Sequence, residues 1–305
     1  MTSIERGSLF AAACLLLGST AWANPNTLRR GQSVLTVSGA SWSFDRFLVG
    51  NGDTDKLPVT ITQTSFILGF DHGLSDQLQL SVNVPWVSSK RDVVDTVRGG
   101  RRVDPGDAST NDGAGDARLS LKYRLTHGTG PQVALYLGAK WPGSYRTRIV
   151  PSNQRGRGEV DLINSPGDGN FDLEAGASVG HQWGPFTGSV DLGYRLRQGL
   201  PPNEYVLRLE ASYLLGARWL LFSSLDYIDA QGGTAPDLVK GDPYDPFRDF
   251  VGLEEDVTRP ALGVLLSFNE RTSAFVYAAS TVDGKNTAKG VEYGLGVSLS
   301  FQPEP

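Results

Sequence analysis

Gln77-Leu78-Gln79-Leu80-Ser81-Val82-Asn83-Val84-Pro85-Trp86-Val87 alternates with a period of two. Leu78, Leu80, Val82, Val84 and Trp86 fall on one face; Gln77, Gln79, Ser81 and Asn83 fall on the other. Successive side chains of a strand point to opposite sides, so this ribbon has one apolar and one polar surface. Gly115 to Leu125 repeats the pattern, with Ala117, Leu119, Leu121, Tyr123 and Leu125 against Asp116, Arg118, Ser120, Lys122 and Arg124. Val291 to Phe301 sets Val291, Tyr293, Leu295, Val297, Leu299 and Phe301 against Glu292, Gly294, Gly296, Ser298 and Ser300. Weaker copies occupy 32–44, 58–70, 132–141, 171–182, 186–197, 205–215, 219–228, 259–268 and 273–282, making twelve strands. Each is near the ~9–11 residues that a tilted transmembrane strand requires. The first two and 219–228 alternate poorly, which leaves counts of ten and fourteen open.

The connections carry more information than any one strand. Asp71 to Asp76, Thr126 to Pro131, Trp183-Gly184-Pro185, Gly216 to Arg218 and Asn269 to Thr272 are short and rich in turn formers. Between them lie 88–114, 142–170 and 229–258, long, polar and full of Gly, Pro and Asp, together with the briefer 198–204 and 283–289. Short and long alternate in strict order. Loops beyond ~12–15 residues count against a compact soluble domain. An outer-membrane barrel is expected to have them, with short periplasmic turns and long extracellular loops. An even strand number then places both termini in the periplasm.

Aromatic residues agree with that reading. Trp86, Trp141, Phe171, Tyr194, Tyr205, Tyr227 and Tyr293 lie toward the long-loop ends. Tyr123, Trp183, Phe186, Tyr213, Trp219, Phe268, Phe275 and Phe301 lie toward the short-turn ends. Two girdles are what the two lipid–water boundaries favour. Alternation by itself serves a soluble sandwich or lipocalin-like barrel equally well, with the apolar face inward. The loop asymmetry and the double girdle favour the membrane barrel.

Composition narrows the rest. The chain has 305 residues, 37 of them Gly, with one Cys and one Met, and a formal net charge of −5. Its 28 Lys and Arg are scattered among 33 Asp and Glu, so no basic face is offered to nucleic acid. Arg6, the apolar run Leu9 to Leu17 and Ala21-Trp22-Ala23 describe a secretory signal peptide, residues 1–23. The run is too short to span a bilayer as a helix. Cleavage after Ala23 leaves a barrel domain, 24–305, without Cys, so disulfides do not hold it. A lipoprotein acylated at Cys14 would need a longer apolar run ahead of it.

If the apolar faces meet lipid, the polar faces line a lumen. Arg118, Lys122 and Arg124 then point inward from one strand, Asp172 and Glu174 from a second. Asp191, Arg195 and Arg197 follow from a third, Arg208 and Glu210 from a fourth, and Lys140, Asp226 and Glu292 are further candidates. The turn at Trp183-Gly184-Pro185 sets Asp172 opposite Arg197 and Glu174 opposite Arg195. The same bookkeeping across 198–204 sets Arg208 beside Arg195. These charges form either a selectivity zone on a solute path or ion pairs that brace a narrow barrel.

No catalytic, cofactor or metal site is expected. His72 and His127 fall in turns, and His181 on the lipid-facing set has no hydrolase-type serine motif beside it. Asp104-Pro105-Gly106-Asp107 and Asn111-Asp112-Gly113 lack the calcium-loop spacing and read as solvated loop.

Phe70-Asp71-His72-Gly73-Leu74-Ser75-Asp76 with the following strand to Pro85 resembles the outer-membrane proteins named for the MetA pathway of phenol degradation. Gly113-Ala114-Gly115-Asp116 leading to Lys122-Tyr123-Arg124 resembles the same family. So do Gly138-Ala139-Lys140-Trp141-Pro142, Asp191-Leu192-Gly193-Tyr194-Arg195 and Tyr293-Gly294-Leu295-Gly296-Val297. The resemblance runs from about residue 57 to the end. It implies a Gram-negative outer-membrane channel, distantly akin to the FadL-type carriers of hydrophobic compounds, with aromatic molecules among the expected cargo. FadL-type channels thread an N-terminal plug into the barrel. Only Asn24 to Gly31 precede the first strand here, and eight residues are too few for such a hatch. The expectation is a monomeric, non-enzymatic outer-membrane barrel bathed in lipid that passes a small-molecule solute. The alternative is a structural or interaction barrel with a closed, charge-filled lumen.

Overall fold

The computed structural model describes residues 25–48, 54–93, 97–98, 101–102, 109–144, 169–198, 202–231, 256–285 and 287–302. The strands are β1 Ser33–Leu48, β2 Thr54–Gly73, β3 Leu78–Val93, β4 Val97–Arg98, β5 Arg101–Arg102, β6 Ser109–Ala114, β7 Ala117–Arg124 and β8 Gln132–Trp141. They continue as β9 Asp172–Trp183, β10 Phe186–Arg197, β11 Asn203–Leu215, β12 Trp219–Gln231, β13 Asp256–Ser267, β14 Thr272–Ser280, β15 Asp283–Lys285 and β16 Thr287–Phe301. β4 and β5 pair only with each other. β6 and β7 both pair with β3 and form one stave; β14 and β15 both pair with β13 and form another.

Every neighbour is antiparallel, and β12 pairs with β13 while β1 pairs with β16, so twelve staves close into a barrel. Closure leaves no backbone edge in hydrocarbon, where each unpaired group would cost several kcal/mol. Following the register round the staves returns to β1 about 14 residues from the start, the stagger of strands tilted roughly 40° to the axis. The twelve staves are the twelve strands expected from alternation, and ten and fourteen are excluded.

The apolar faces point out. Leu121 is 41% exposed, Leu192 60% and Leu295 64%, while Ser120, Lys122, Asp191 and Ser298 between them are buried. Most of the girdle residues are also outside. Trp86, Trp141, Tyr205, Tyr227 and Tyr293 are exposed toward one end; Tyr123, Trp183, Phe186, Tyr213, Trp219, Phe268 and Phe301 are exposed toward the other. Phe275 departs from the expectation. It is buried, on the inward parity of β14, and joins Leu220, Phe222 and Leu265 in an apolar cluster inside the barrel. The chain is a transmembrane β-barrel.

The short turns are built as their residues dictate. Gly184 and Gly216 adopt φ values of 61° and 68° in the β9–β10 and β11–β12 turns, a region open to glycine at little cost. The long side differs from the composition-based boundaries. β3 runs on to Val93 and β6 begins at Ser109, so strand pairing consumes much of 88–114. Asn111, Asp112 and Gly113 are therefore not loop but lie opposite Ser89, Ser88 and Val87. Polar side chains on both faces suit a hairpin standing clear of the apolar band, and they erase the alternation by which strands are recognised. Residues 1–23, expected to be a signal peptide, and most of 142–170 and 229–258 lie outside the described residues.

The segment before β1 is not a free tail. Leu28 is 2% exposed and donates its backbone N–H to Gln79 Oε1 at 3.0 Å. Arg30 N–H donates to Asp76 Oδ1 at 3.0 Å, and Thr27 Oγ1 to the Asp76 carbonyl at 2.7 Å. Pro25 is packed so closely on the inner face of β9 that a Cβ on Gly180 would lie 2.9 Å from its ring. Gly180 and Gln79 stand on β9 and β3, well separated round the barrel, so Pro25 to Gln32 crosses the short-turn mouth. These eight residues form a strap.

Candidate functional site in the barrel lumen

The inward positions of β7 to β13 hold most of the buried charge, with Asp71 on β2 and Glu292 on β16 besides. Trp183-Gly184-Pro185 forms the tight turn expected, so Asp172 faces Arg197 and Glu174 faces Arg195 across β9–β10. Arg195 donates through Nε and Nη2 to Glu174 Oε2 at 3.1 and 2.9 Å, and through Nη1 to Glu204 Oε2 at 2.6 Å. Arg197 joins Glu204 through Nη1 and lies 3.7 Å from Asp172 Oδ1 through Nε. Lys140 Nζ is 2.6 Å from Asp172 and 3.6 Å from Asp116.

The second half of the expected ladder is wrong in register. Across 198–204 Arg208 faces Asp191, four residues away from the place beside Arg195 that a symmetric turn would give it. Glu204 takes the place opposite Arg195 instead. The connection is not a tight turn: β11 starts at Asn203, whose side-chain oxygen accepts the Arg197 N–H at 3.0 Å. Like charges would have met in the expected register, and opposite charges meet in this one.

From Arg208 the network continues round the wall. Its Nη1 is 3.2 Å from Glu174 Oε1 and its Nε 3.6 Å from Asp226. Asp226 faces Arg259 across β12–β13, Arg259 Nη2 is 2.7 Å from Glu292, and Tyr277 donates its hydroxyl to Glu292 at 2.6 Å. With the strand tilt included, Arg118, Glu174, Arg208, Asp226, Arg259, Tyr277 and Glu292 stand within about two residues of one level, roughly mid-barrel. The result is an ionic belt. Asp191 and Glu210 sit nearer the short-turn end, flanked in register by Ser178 with Arg208 and by Ser189 with Ser224. Lys122 is buried close to both of them. Arg124 stands apart at the rim, its Nη2 donating to the Asp76 carbonyl at 2.8 Å.

Of the belt, Asp116, Glu204, Arg259 and Tyr277 were not singled out from sequence. Glu204 shares the parity of Arg208 and Glu210, and continuing that alternation downward would have found it. The opposite wall is different in kind. β1 offers Thr36, Ser38, Ala40, Trp42 and Phe44 inward, and β14 offers Phe275 and Tyr277. Glycines make room for these rings: a Cβ on Gly294 would lie 2.2 Å from Tyr277, on Gly296 2.4 Å from Phe275, and on Gly263 2.1 Å from Phe222. Tyr136 is seated the same way against Gly176 and Gly193, and donates to Glu174 at 3.4 Å.

The histidines stay outside this site. His72 Nδ1 is 2.8 Å from Ser33 Oγ, His127 Nε2 is 2.7 Å from Gln77 Nε2, and His181 lies edge-on to Trp183 at 4.7 Å. A hollow of about 990 Å³ lies against the wall formed by β1, β2, β12, β13, β14 and β16, lined by residues of both parities, Leu262 and Tyr293 as well as Phe222 and Tyr277.

No family model matches the sequence, and no curated protein matches it. Solved structures do. The COG4313 outer-membrane channel from Pseudomonas putida F1 superposes with a TM-score of 0.66 at 13% identity, covering 91% of this chain and 98% of that one. The translocator domain of the autotransporter NalP from Neisseria meningitidis gives 0.51 at 11% identity, covering 98% and 97%. The fold is that of an outer-membrane β-barrel. Identities this low speak for the barrel architecture and for nothing finer.

Proposed function

We propose that this protein is an outer-membrane channel that passes small molecules through its lumen, and that it has no enzymatic role. The observation that carries the reading is the inverted surface: apolar side chains face out on every stave and the ionic belt faces in. A water-filled polar path bounded by lipid is the use to which such a barrel is suited. The architecture shared with the Pseudomonas channel supports it. In the proposed placement the short turns and the Pro25–Gln32 strap lie in the periplasm, the long connections outside the cell, and the barrel acts as a monomer. The contrast between an ionic wall on β7–β13 and an apolar, hydroxyl-bearing wall on β1 and β14 supports passage of amphipathic or aromatic solutes.

One observation favours the closed barrel instead. Arg195, Arg197 and Arg208 are all ion-paired, as bracing groups would be. Planar bilayers separate the two. Conductance steps that change when Arg195 and Arg197 become Ala are expected of the channel; silence from folded protein would overturn it.

A further inference from the structure

The inward charge is balanced from the belt to the long-loop end and unbalanced below it. Asp116, Asp172, Glu174, Glu204, Asp226 and Glu292 are matched there by Arg118, Lys140, Arg195, Arg197, Arg208 and Arg259. Between the belt and the strap the ratio changes. Asp71, Asp191 and Glu210 stand within about two residues of one level, and Lys122 is the one base among them in the described residues. Lys122 neighbours all three acids. Arg208 faces Asp191 from just above, but its donors go to Glu174 and Asp226. Arg124 lies below, at the rim, on the Asp76 carbonyl.

The remaining neighbours of these acids are mostly neutral. Asp71, 4% exposed, accepts from Gln79 Nε2 at 3.1 Å and from the Ser81 hydroxyl. Asp191, 0% exposed, has Ser178 opposite it on β9, and Glu210 lies between Ser189 and Ser224. Neither Asp191 oxygen completes a hydrogen bond among the described residues, nor does Glu210 Oε1. Hydroxyl and amide dipoles temper a carboxylate's charge without cancelling it. In a narrow lumen with low-dielectric walls, fixed carboxylates attract cations and repel anions. We infer that this acidic level makes the lumen cation-selective, so that the solutes it passes carry an ammonium group in preference to a carboxylate. The inference rests on the channel reading and names the charge of the cargo.

Single channels of the folded full-length protein, held under a KCl gradient in planar bilayers, test it. The reversal potential should take the sign of K+ permeation, with K+ passing several-fold more readily than Cl−. In the double variant Asp191→Asn, Glu210→Gln that preference should fall to near parity. Glu210→Gln alone should lower it in the same direction, and it serves should the double variant lose its heat-resistant, fast-migrating band. Benzylammonium and benzoate share an apolar body and differ in the sign of their charge. Benzylammonium in place of K+ should carry current, and benzoate in place of Cl− should carry far less. A wild-type channel that passes Cl− as readily as K+, or benzoate as readily as benzylammonium, would overturn the selectivity and leave the channel standing. So would a cation preference unchanged in both variants. A folded barrel that never conducts would instead remove the channel, and this inference with it.

Discussion

Arg195 faces Glu204 across the β10–β11 pair, and its Nη1 lies 2.6 Å from that carboxylate while Nε and Nη2 hold Glu174 on the other side. A single guanidinium therefore ties three staves together. Both acids are buried and both are shared, Glu204 with Arg197 and Glu174 with Arg208. Taking away one member strands a charge that the lumen wall cannot solvate.

Replacing Glu174 by Ala should accordingly destabilise the barrel by about 3–5 kcal/mol, the cost of breaking a buried ion pair on one side. The check is urea-dependent folding into lipid vesicles followed by tryptophan fluorescence. Glu204→Ala should behave alike, and an unchanged midpoint for both would show that the belt carries no structural weight.

How much of this was legible beforehand depended on the length of each connection. The three-residue turn at Trp183-Gly184-Pro185 has one compact solution, so the pairing of Glu174 with Arg195 followed from counting. The stretch 198–204 has no such single solution. Counting across it missed the register by four and hid Glu204 inside a supposed loop. Side-chain parity was readable wherever one face meets lipid, as at Leu119 and Leu121. It failed at β6, where both faces of Asn111-Asp112-Gly113 are polar, and at Phe275, an aromatic that packs inward over Gly296. The strap was illegible because its hydrogen bonds reach residues 46 to 51 positions away.

Ring-over-glycine packing makes a paired prediction. A Cβ at Gly193 would lie 2.3 Å from the Tyr136 hydroxyl but 3.4 Å from the ring carbon that bears it. Gly193→Ala should cost about 1–3 kcal/mol by overpacking. Tyr136→Phe in that background should recover most of the loss, measured by the same unfolding titration. A double variant no better than the single would point to backbone strain instead of this clash.

The strap lies across the short-turn mouth and hides Leu28. Deleting Pro25 to Arg30 should raise single-channel conductance while leaving the heat-resistant band in place. Conductance equal to that of the intact chain would mean the mouth is closed by something else, the Leu220–Phe222–Leu265–Phe275 cluster being the next barrier.

Lipid exposure predicts a sharp asymmetry between neighbours on β16. Leu295, outward and about mid-height, should cost roughly 2–4 kcal/mol when replaced by Arg, as a charge does at the bilayer midplane. Vesicle folding titrations read this directly. A tolerated Leu295→Arg would place that side chain in water.

The account stands on which face of each strand meets the acyl chains. Single cysteines at Leu121 and Leu295, and at Ser120 and Ser298, carrying nitroxide labels in reconstituted protein with Cys14 absent, decide it by collision with oxygen against a water-soluble nickel chelate. Labels at 121 and 295 should collide strongly with oxygen and scarcely with nickel, and those at 120 and 298 should be shielded from the lipid-borne oxygen. Oxygen-rich collisions at 120 and 298, with 121 and 295 protected, would contradict the barrel's orientation and everything built on its lumen.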